Sequence, residues 1–490
     1  MKLRLLCRLL GLLLLLLCLA MGLCLGYAYW ESLNSRFEDA MQPFFWAISI
    51  TGISGVILFL CGLGADKELL RKEGITVVGL GWLLCSVFGA LPYVFNDPAL
   101  TPAQAWFESM SGFTTTGATV IVDLDLVSRS ILLWRSLTQW LGGLGILVLF
   151  VALLTSIGAG SKSLFRHESS AKTGEGLQAR ISDVADKLWQ IYISLTLICC
   201  LGLLALGMSL FDALCHTFTA ISTGGFSPYN NSIAAFNSLD IELWLVLFMV
   251  LGGISFMLYA WMLRGRFERW KQEEETRYYL WILLGSTLVI SMNLYLTNGN
   301  QSVLSALRVS IFQVVSIMST TGFVTTDFNL WPPLSLVILI LLMTFGGCAG
   351  STAGGIKIGR WVYFFKIARQ ELIAAFRPNQ VISLRLNGNI TSEHFKTQTL
   401  FFLSLAGITV AFSTGLMTLL QPNLDIVSSL TAVTATLFNI GPGLGVVGPT
   451  HNFATFSPIT LCFLSFLMVL GRLEFFAILV LFVPSLWRKY

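Results

Sequence analysis

Charge is what this sequence lacks. Lys, Arg, Asp and Glu together make up 11% of its 490 residues, against roughly 25% in an ordinary soluble domain, while 55% of the chain is hydrophobic. A soluble globular enzyme is excluded on that count, because so much apolar surface needs lipid around it. Histidine is scarce too, at four residues, and no CxxC pair or His cluster has the spacing of a metal site. The ten cysteines (7, 18, 24, 61, 85, 199, 200, 215, 348 and 462) lie almost all inside apolar runs and read as reduced packing residues. No GxxxxGK[ST] occurs, so the chain has no P-loop for a nucleotide, and no cofactor is expected within it. Ser/His/Asp sets, HExxH and paired membrane aspartates are missing from the apolar runs, which argues against an intramembrane enzyme. No basic patch points to nucleic acid.

Apolar runs are abundant instead. Ten are long enough to cross a bilayer: 9–29, 43–64, 74–95, 130–157, 188–211, 241–263, 278–297, 334–368 (interrupted), 400–420 and 458–487. The first follows Lys2, Arg4 and Arg8 and mimics a signal peptide, but its length and the lack of a clean small-x-small cleavage site predict a retained helix. A cytoplasmic N-terminus places 25 of the 30 Lys and Arg residues on the cytoplasmic side. The exceptions are Arg36, Arg129, Arg135, Arg308 and Arg472. Such a bias predicts that both termini are cytoplasmic.

Four segments on the outer side are too apolar for loops and too short to cross: 102–113, 211–222, 303–319 and 425–438. Their length and polarity suit re-entrant helices. Each leads into a glycine-bearing turn, namely Thr114-Thr115-Thr116-Gly117, Ser222-Thr223-Gly224-Gly225, Ser319-Thr320-Thr321-Gly322 and Asn439-Ile440-Gly441-Pro442. The first glycines stand 107, 98 and 119 residues apart. A second mark follows each turn: Leu141-Gly142-Gly143, Leu251-Gly252-Gly253, Phe345-Gly346-Gly347 and Leu470-Gly471-Arg472. Two marks in one order, four times over, are an internal repeat. The expected fold is an all-α membrane protein with ten transmembrane helices: an N-terminal hairpin over 1–66 and four pseudo-symmetric helix/re-entrant loop/helix repeats over 67–160, 161–270, 271–370 and 371–490, set around a central pore.

The physics of such an axis favours cations. A re-entrant helix whose C-terminus points inward brings about half an elementary negative charge, and rings of backbone carbonyls can replace an ion's hydration shell. Taken singly, a TTG or GG in a membrane helix reads as close packing, and for the GG marks that reading stays open.

These residues resemble the Trk/Ktr/HKT superfamily of potassium transporters and, because of the extra hairpin, its bacterial TrkH/TrkG type. The likeness rests on Glu108-Ser109-Met110-Ser111-Gly112 leading into TTTGAT, on Ile221-Ser222-Thr223-Gly224-Gly225-Phe226, on Ser319-Thr320-Thr321-Gly322-Phe323 and on Asn439-Ile440-Gly441-Pro442-Gly443. It implies potassium as the transported ion, bound at Thr115, Thr116, Gly117, Ser222, Thr223, Gly224, Thr320, Thr321, Gly322, Asn439, Ile440 and Gly441, largely through carbonyl oxygens. It also implies low-affinity uptake at a bacterial inner membrane, pairing of two pore subunits, and a soluble nucleotide-binding TrkA-type partner on the cytoplasmic side. An ion-coupled symporter working by alternating access is the competing mechanism. One glycine per repeat lines up and the following residues differ, so fourfold symmetry decays quickly and selectivity is expected to be weaker than in a tetrameric channel.

In the third repeat, glycines 346, 347, 350, 354 and 355 fall within twelve residues, too many at about 1 kcal/mol each for a helix. The crossing should break there, and the resemblance implies a gating loop ending at Lys357. Arg472 is costly inside an apolar run, by at least about 2.5 kcal/mol. It sits where other repeats carry a second glycine and should bond loop carbonyls beneath the filter, because Glu474, two residues on, faces elsewhere. His216 and His451 read as ordinary residues. Glu273-Glu274-Glu275 with its basic neighbours reads as a solvated cytoplasmic face, and 158–187 as a cytoplasmic connection.

Overall fold

A computed structural model describes residues 2–34, 40–65, 71–143, 145, 174–265, 267–297, 302–380 and 383–487. Nearly all regular structure among them is helical. Helices α1 (Leu3–Asn34) and α2 (Gln42–Cys61) precede a first unit of α3 (Arg71–Gly89), α4 (Leu91–Val94), α5 (Pro102–Phe113) and α6 (129–143). The second unit holds α7 (Gly174–Ala205), α8 (Leu210–Ile221), α9 (Leu239–Gly253) and α10 (Phe256–Leu263). In the third lie α11 (Glu268–Gln272), α12 (Glu274–Thr297), α13 (Val303–Met318) and α14 (Pro333–Thr344). Helix α15 (Ile358–Phe376) completes the third unit's interrupted crossing, and the fourth begins with a small antiparallel hairpin, β1 (Arg385–Leu386) and β2 (Asn389–Ile390). It continues through α16 (Glu393–Leu420), α17 (Ile426–Leu437), α18 (Pro458–Arg472), α19 (Phe476–Leu479) and α20 (Pro484–Trp487).

The four expected re-entrant segments are the short helices α5, α8, α13 and α17. All four start alike. Thr101, Ser209, Ser302 and Asp425 stand at their N-caps, and each side chain accepts the backbone N–H three residues on, satisfying one of the donors a helix start leaves orphaned. At Asp425 the Ser428 hydroxyl and N–H hold the carboxyl below its ordinary value.

Six described helices are long and apolar enough to cross a membrane, or eight if each bent pair is one span; ten remains a count from the sequence. The run 130–157 is described only to residue 143 and at 145, and residues 158–173 of the expected connection lie outside the described residues. The rest of that connection, from Gly174, is helical, as the first turns of α7. Two runs that read as straight spans are bent. Helices α9 and α10 meet at 91°, and α18 turns by 113° into the segment Phe476–Phe482, where Glu474 and Phe475 take φ of 52° and 65°. Hydropathy alone could not reveal either bend, because the stretches on both sides of each break are apolar.

The N-terminal hairpin packs at glycine contacts: a Cβ on Gly11 would stand 2.5 Å from the Phe59 nitrogen. It is tied to the first unit by Glu31, whose carboxylate accepts the N–H groups of Arg129 and Ser130 at 2.7 and 2.9 Å, at the positive end of α6. Its apolar faces form one buried cluster with that unit, while a larger cluster joins all four units.

Candidate functional site

The four short helices end in one conformation. Thr115, Thr223, Thr320 and Asn439 follow their C-caps with φ of 54°, 55°, 57° and 56°. The next residues, Thr116, Gly224, Thr321 and Ile440, donate their N–H to the carbonyls of Ser111, Thr219, Ser316 and Ala435 at 2.8–2.9 Å. Then come Gly117, Gly225, Gly322 and Gly441, with φ of 84°, 79°, 81° and 100°, a region that favours glycine. This corrects the register of the second repeat. Gly224, aligned with Gly117 on sequence, stands one place earlier, and its match is Gly225. The residues that follow are therefore Ala118, Phe226, Phe323 and Pro442, two of them phenylalanine.

The turns touch one another in a closed cycle. A Cβ on Gly117 would stand 2.2 Å from the Gly224 carbonyl oxygen, and one on Gly225 1.8 Å from that of Thr321. On Gly322 it would stand 2.2 Å from the Ile440 oxygen, and on Gly441 2.8 Å from that of Thr116. First meets second, second third, third fourth and fourth first, so the carbonyls of Thr116, Gly224, Thr321 and Ile440 form a ring that the glycines alone leave room for. The structure thus brings the sequence-predicted filter residues together. Ser222 is at the C-cap of α8, and its hydroxyl is spent on the Phe218 carbonyl at 2.7 Å.

Side chains that the sequence reading left unassigned hold the ring from outside. Arg135, noted only as an exception to the charge bias, pairs with Glu108 at 2.7 Å, both fully buried. Glu108 also accepts the Val120 N–H at 2.9 Å, while Arg135 reaches the Ser227 carbonyl and lies over the Phe226 ring. Gln139 bonds the second turn. The signal available was ionisable groups within apolar segments, which are functional candidates by default. His216 is buried and bonded to the Asp212 carbonyl and the Ser227 hydroxyl, a packing role as expected, and His451 is exposed.

Beneath the ring, the third crossing breaks between α14 and α15 as its glycines predict. Gly346 N–H pairs with the Ile356 carbonyl at 2.9 Å and closes the loop at its base. From there the loop is pinned on several sides: Cys348 N–H to Gly253 at 2.8 Å, Gly355 N–H to Phe438 at 2.9 Å, and Gly354 N–H to the Thr320 hydroxyl at 2.6 Å. The Thr352 hydroxyl lies between the carbonyls of Ile221 and Gly252, at 3.0 and 3.1 Å. Gly350 and Gly355 take positive φ, whereas Gly346, Gly347 and Gly354 are glycine because backbone or side-chain atoms stand within 2.7 Å of where a Cβ would be. Arg472 donates to the Thr352 carbonyl at 2.8 Å, and Glu474 pairs instead with Arg360. The Lys357 ammonium folds back on the Ala353 carbonyl. The acidic run is not a solvated face throughout. Glu275 is buried and accepts the Ala349 N–H of the loop at 2.8 Å, while Glu273 and Glu274 hold Asn387 of the β-hairpin. Burial raises the Glu273 carboxyl above its ordinary value, opposed by the Asn387 amide.

Half-length helices converging their carbonyl ends on a closed ring, over a broken crossing, define a multi-pass membrane protein built to pass cations. The chain belongs to the TrkH family of cation transport proteins, whose model matches residues 40–489; the family consists of transporters, not enzymes. It is 37% identical to the Trk system potassium uptake protein TrkH of Halomonas elongata over the whole of both chains. It is 33% identical to the Trk system potassium uptake protein TrkG of Escherichia coli over 95% of this chain and 97% of that one. The crystal structure of the potassium transporter TrkH from Vibrio parahaemolyticus superposes with a TM-score of 0.88 at 32% identity, covering all of both chains.

Proposed function

We propose that this chain carries potassium across a bacterial inner membrane as a low-affinity, channel-like uptake pore with both termini in the cytoplasm. The closed ring of the Thr116, Gly224, Thr321 and Ile440 carbonyls carries the reading. Each oxygen follows the C-terminus of a short helix whose dipole is negative there, and together they substitute for water around a monovalent cation. The filter comprises residues 115–117, 222–225, 320–322 and 439–441, with potassium as cargo. The loop from Gly346 to Lys357, held by Arg472, is the gate: it crosses under the ring and must shift for an ion to pass. Uptake by the relatives named above supports potassium as the ion. Two copies form the working unit in surrounding lipid. A soluble TrkA-type subunit brings the nucleotide control that a chain without a P-loop lacks.

The test is potassium uptake in cells stripped of their own systems. Wild type restores growth at low potassium. Gly322→Ser, with a Cβ at positive φ against the Ile440 oxygen, abolishes it, and undiminished uptake by that variant refutes the assignment. Purified protein in a bilayer gives single-channel currents, which a carrier turns over too slowly to show.

A further inference from the structure

The ring is not chemically uniform. Gln139, on α6 of the first repeat, is fully buried and spends its whole amide on the turn of the second. Its Nε2 donates to the Gly224 carbonyl at 2.8 Å, and its Oε1 accepts the Phe226 N–H at 3.1 Å. The orientation is fixed by chemistry, since the Phe226 N–H can only donate and the Gly224 oxygen can only accept. The amide therefore bridges the residues on either side of Gly225. Among the described residues, Gly224 is the one ring carbonyl that receives a side-chain hydrogen bond.

Internal symmetry shows that this is a local departure. Gln139 lies three residues before Gly142. The same place in the other repeats, before Gly252, Gly346 and Gly471, holds Met249, Met343 and Met468, all fully buried and unable to donate. The departure is matched across the contact. A Cβ on Gly224 would stand 2.4 Å from the Gln139 amide carbon, and the other ring positions carry Thr116, Thr321 and Ile440. The amide stands where a side chain at 224 would begin, so glutamine at 139 requires glycine at 224.

We propose that Gln139 is a specificity-determining positioning residue: its N–H draws on a lone pair of the Gly224 oxygen and anchors it, so that this side of the ring presents a weaker, fixed dipole. A ring held open at reduced field favours an ion that sheds its water easily, potassium or rubidium, over sodium, which needs closer and stronger oxygens. The inference rests on reading the ring as the ion path.

The experiment compares rubidium and sodium flux into liposomes containing the purified full-length protein. One hydrogen bond to a carbonyl is worth roughly a three- to tenfold factor, so Gln139→Met, which gives the first repeat the residue of the other three, should lower the rubidium-to-sodium ratio by that much. An unchanged ratio, even with reduced total flux, reduces Gln139 to packing and overturns the proposal. If Gln139→Met does not fold, Met249→Gln in a Thr321→Gly background decides: with the room for the amide restored, it offers the same hydrogen bond to the carbonyl of residue 321 and should raise the ratio above that of Thr321→Gly alone, and a ratio that stays level or falls overturns the proposal. Wild-type liposomes that pass no rubidium overturn the ion-path reading and this proposal together, whereas an unchanged ratio beside active wild type overturns this proposal alone.

Discussion

At the scale of single residues, the Glu108–Arg135 pair is the largest electrostatic commitment near the ring. Both groups are fully buried, and each makes hydrogen bonds beyond the pair. Removing one partner strands the other charge, at a cost of about 3–5 kcal/mol, whereas removing both can be close to neutral. Arg135→Ala should therefore lower the melting temperature of purified protein sharply, and Glu108→Gln combined with Arg135→Met should recover most of the loss. Equal melting of the single variant and wild type would show that Glu108 is already satisfied by the Thr119 hydroxyl, which donates to it at 3.0 Å, and by the Val120 N–H. Both charges stand out in the sequence as ionisable groups in apolar segments, but nothing in their 27-residue separation says that they meet. The Gly224/Gly225 register is illegible for another reason. Two adjacent glycines offer equal freedom, and only the backbone angles reveal that Gly225 uses it.

At the scale of elements, the short helices and the broken crossing were readable because each rests on local composition. Half a span of apolar sequence ends at a glycine turn, and five crowded glycines cannot stay helical. The bends after α9 and α18 were not, since apolar residues on both sides of a break give the same hydropathy as a straight helix. The loop from Gly346 to Lys357 has an asymmetry that suggests how it is released. Its carbonyl at Thr352 is held by Arg472 alone among the described side chains, while its N–H groups go to backbone and hydroxyl oxygens and to the buried Glu275 carboxylate. Arg472→Ala removes both that tether and a positive charge beneath the carbonyl ring, so rubidium flux should rise; flux that stays level would leave the loop's other anchors in control. The α1/α2 hairpin behaves differently. Gly11→Leu drives a side chain into the Phe59 backbone and should cost thermal stability, yet the rubidium-to-sodium ratio should hold, because the hairpin contributes nothing to the ring.

At the scale of the whole molecule, closure makes the carbonyl ring a property of no single repeat. The sequence showed four copies of one pattern but not their order around the axis, which only the contacts between turns reveal. Each glycine leaves room for the next repeat's carbonyl, so an alanine at any one of them pushes on a neighbour and opens the cycle. All four share the cost of placing an L-residue at positive φ, about 1–2 kcal/mol. What separates them is the clash: 1.8 Å at Gly225, 2.2 Å at Gly117 and Gly322, and 2.8 Å at Gly441. Backbone oxygens cannot rotate away as a flexible side chain can, so the shortest approach demands the largest displacement of the ring. Potassium uptake should therefore fall most for Gly225→Ala, less for Gly117→Ala and Gly322→Ala, and least for Gly441→Ala, with each protein present in the membrane at comparable level. A series in which Gly441→Ala is the most damaging would mean that backbone strain at φ of 100°, rather than contact between repeats, governs the geometry of the ring.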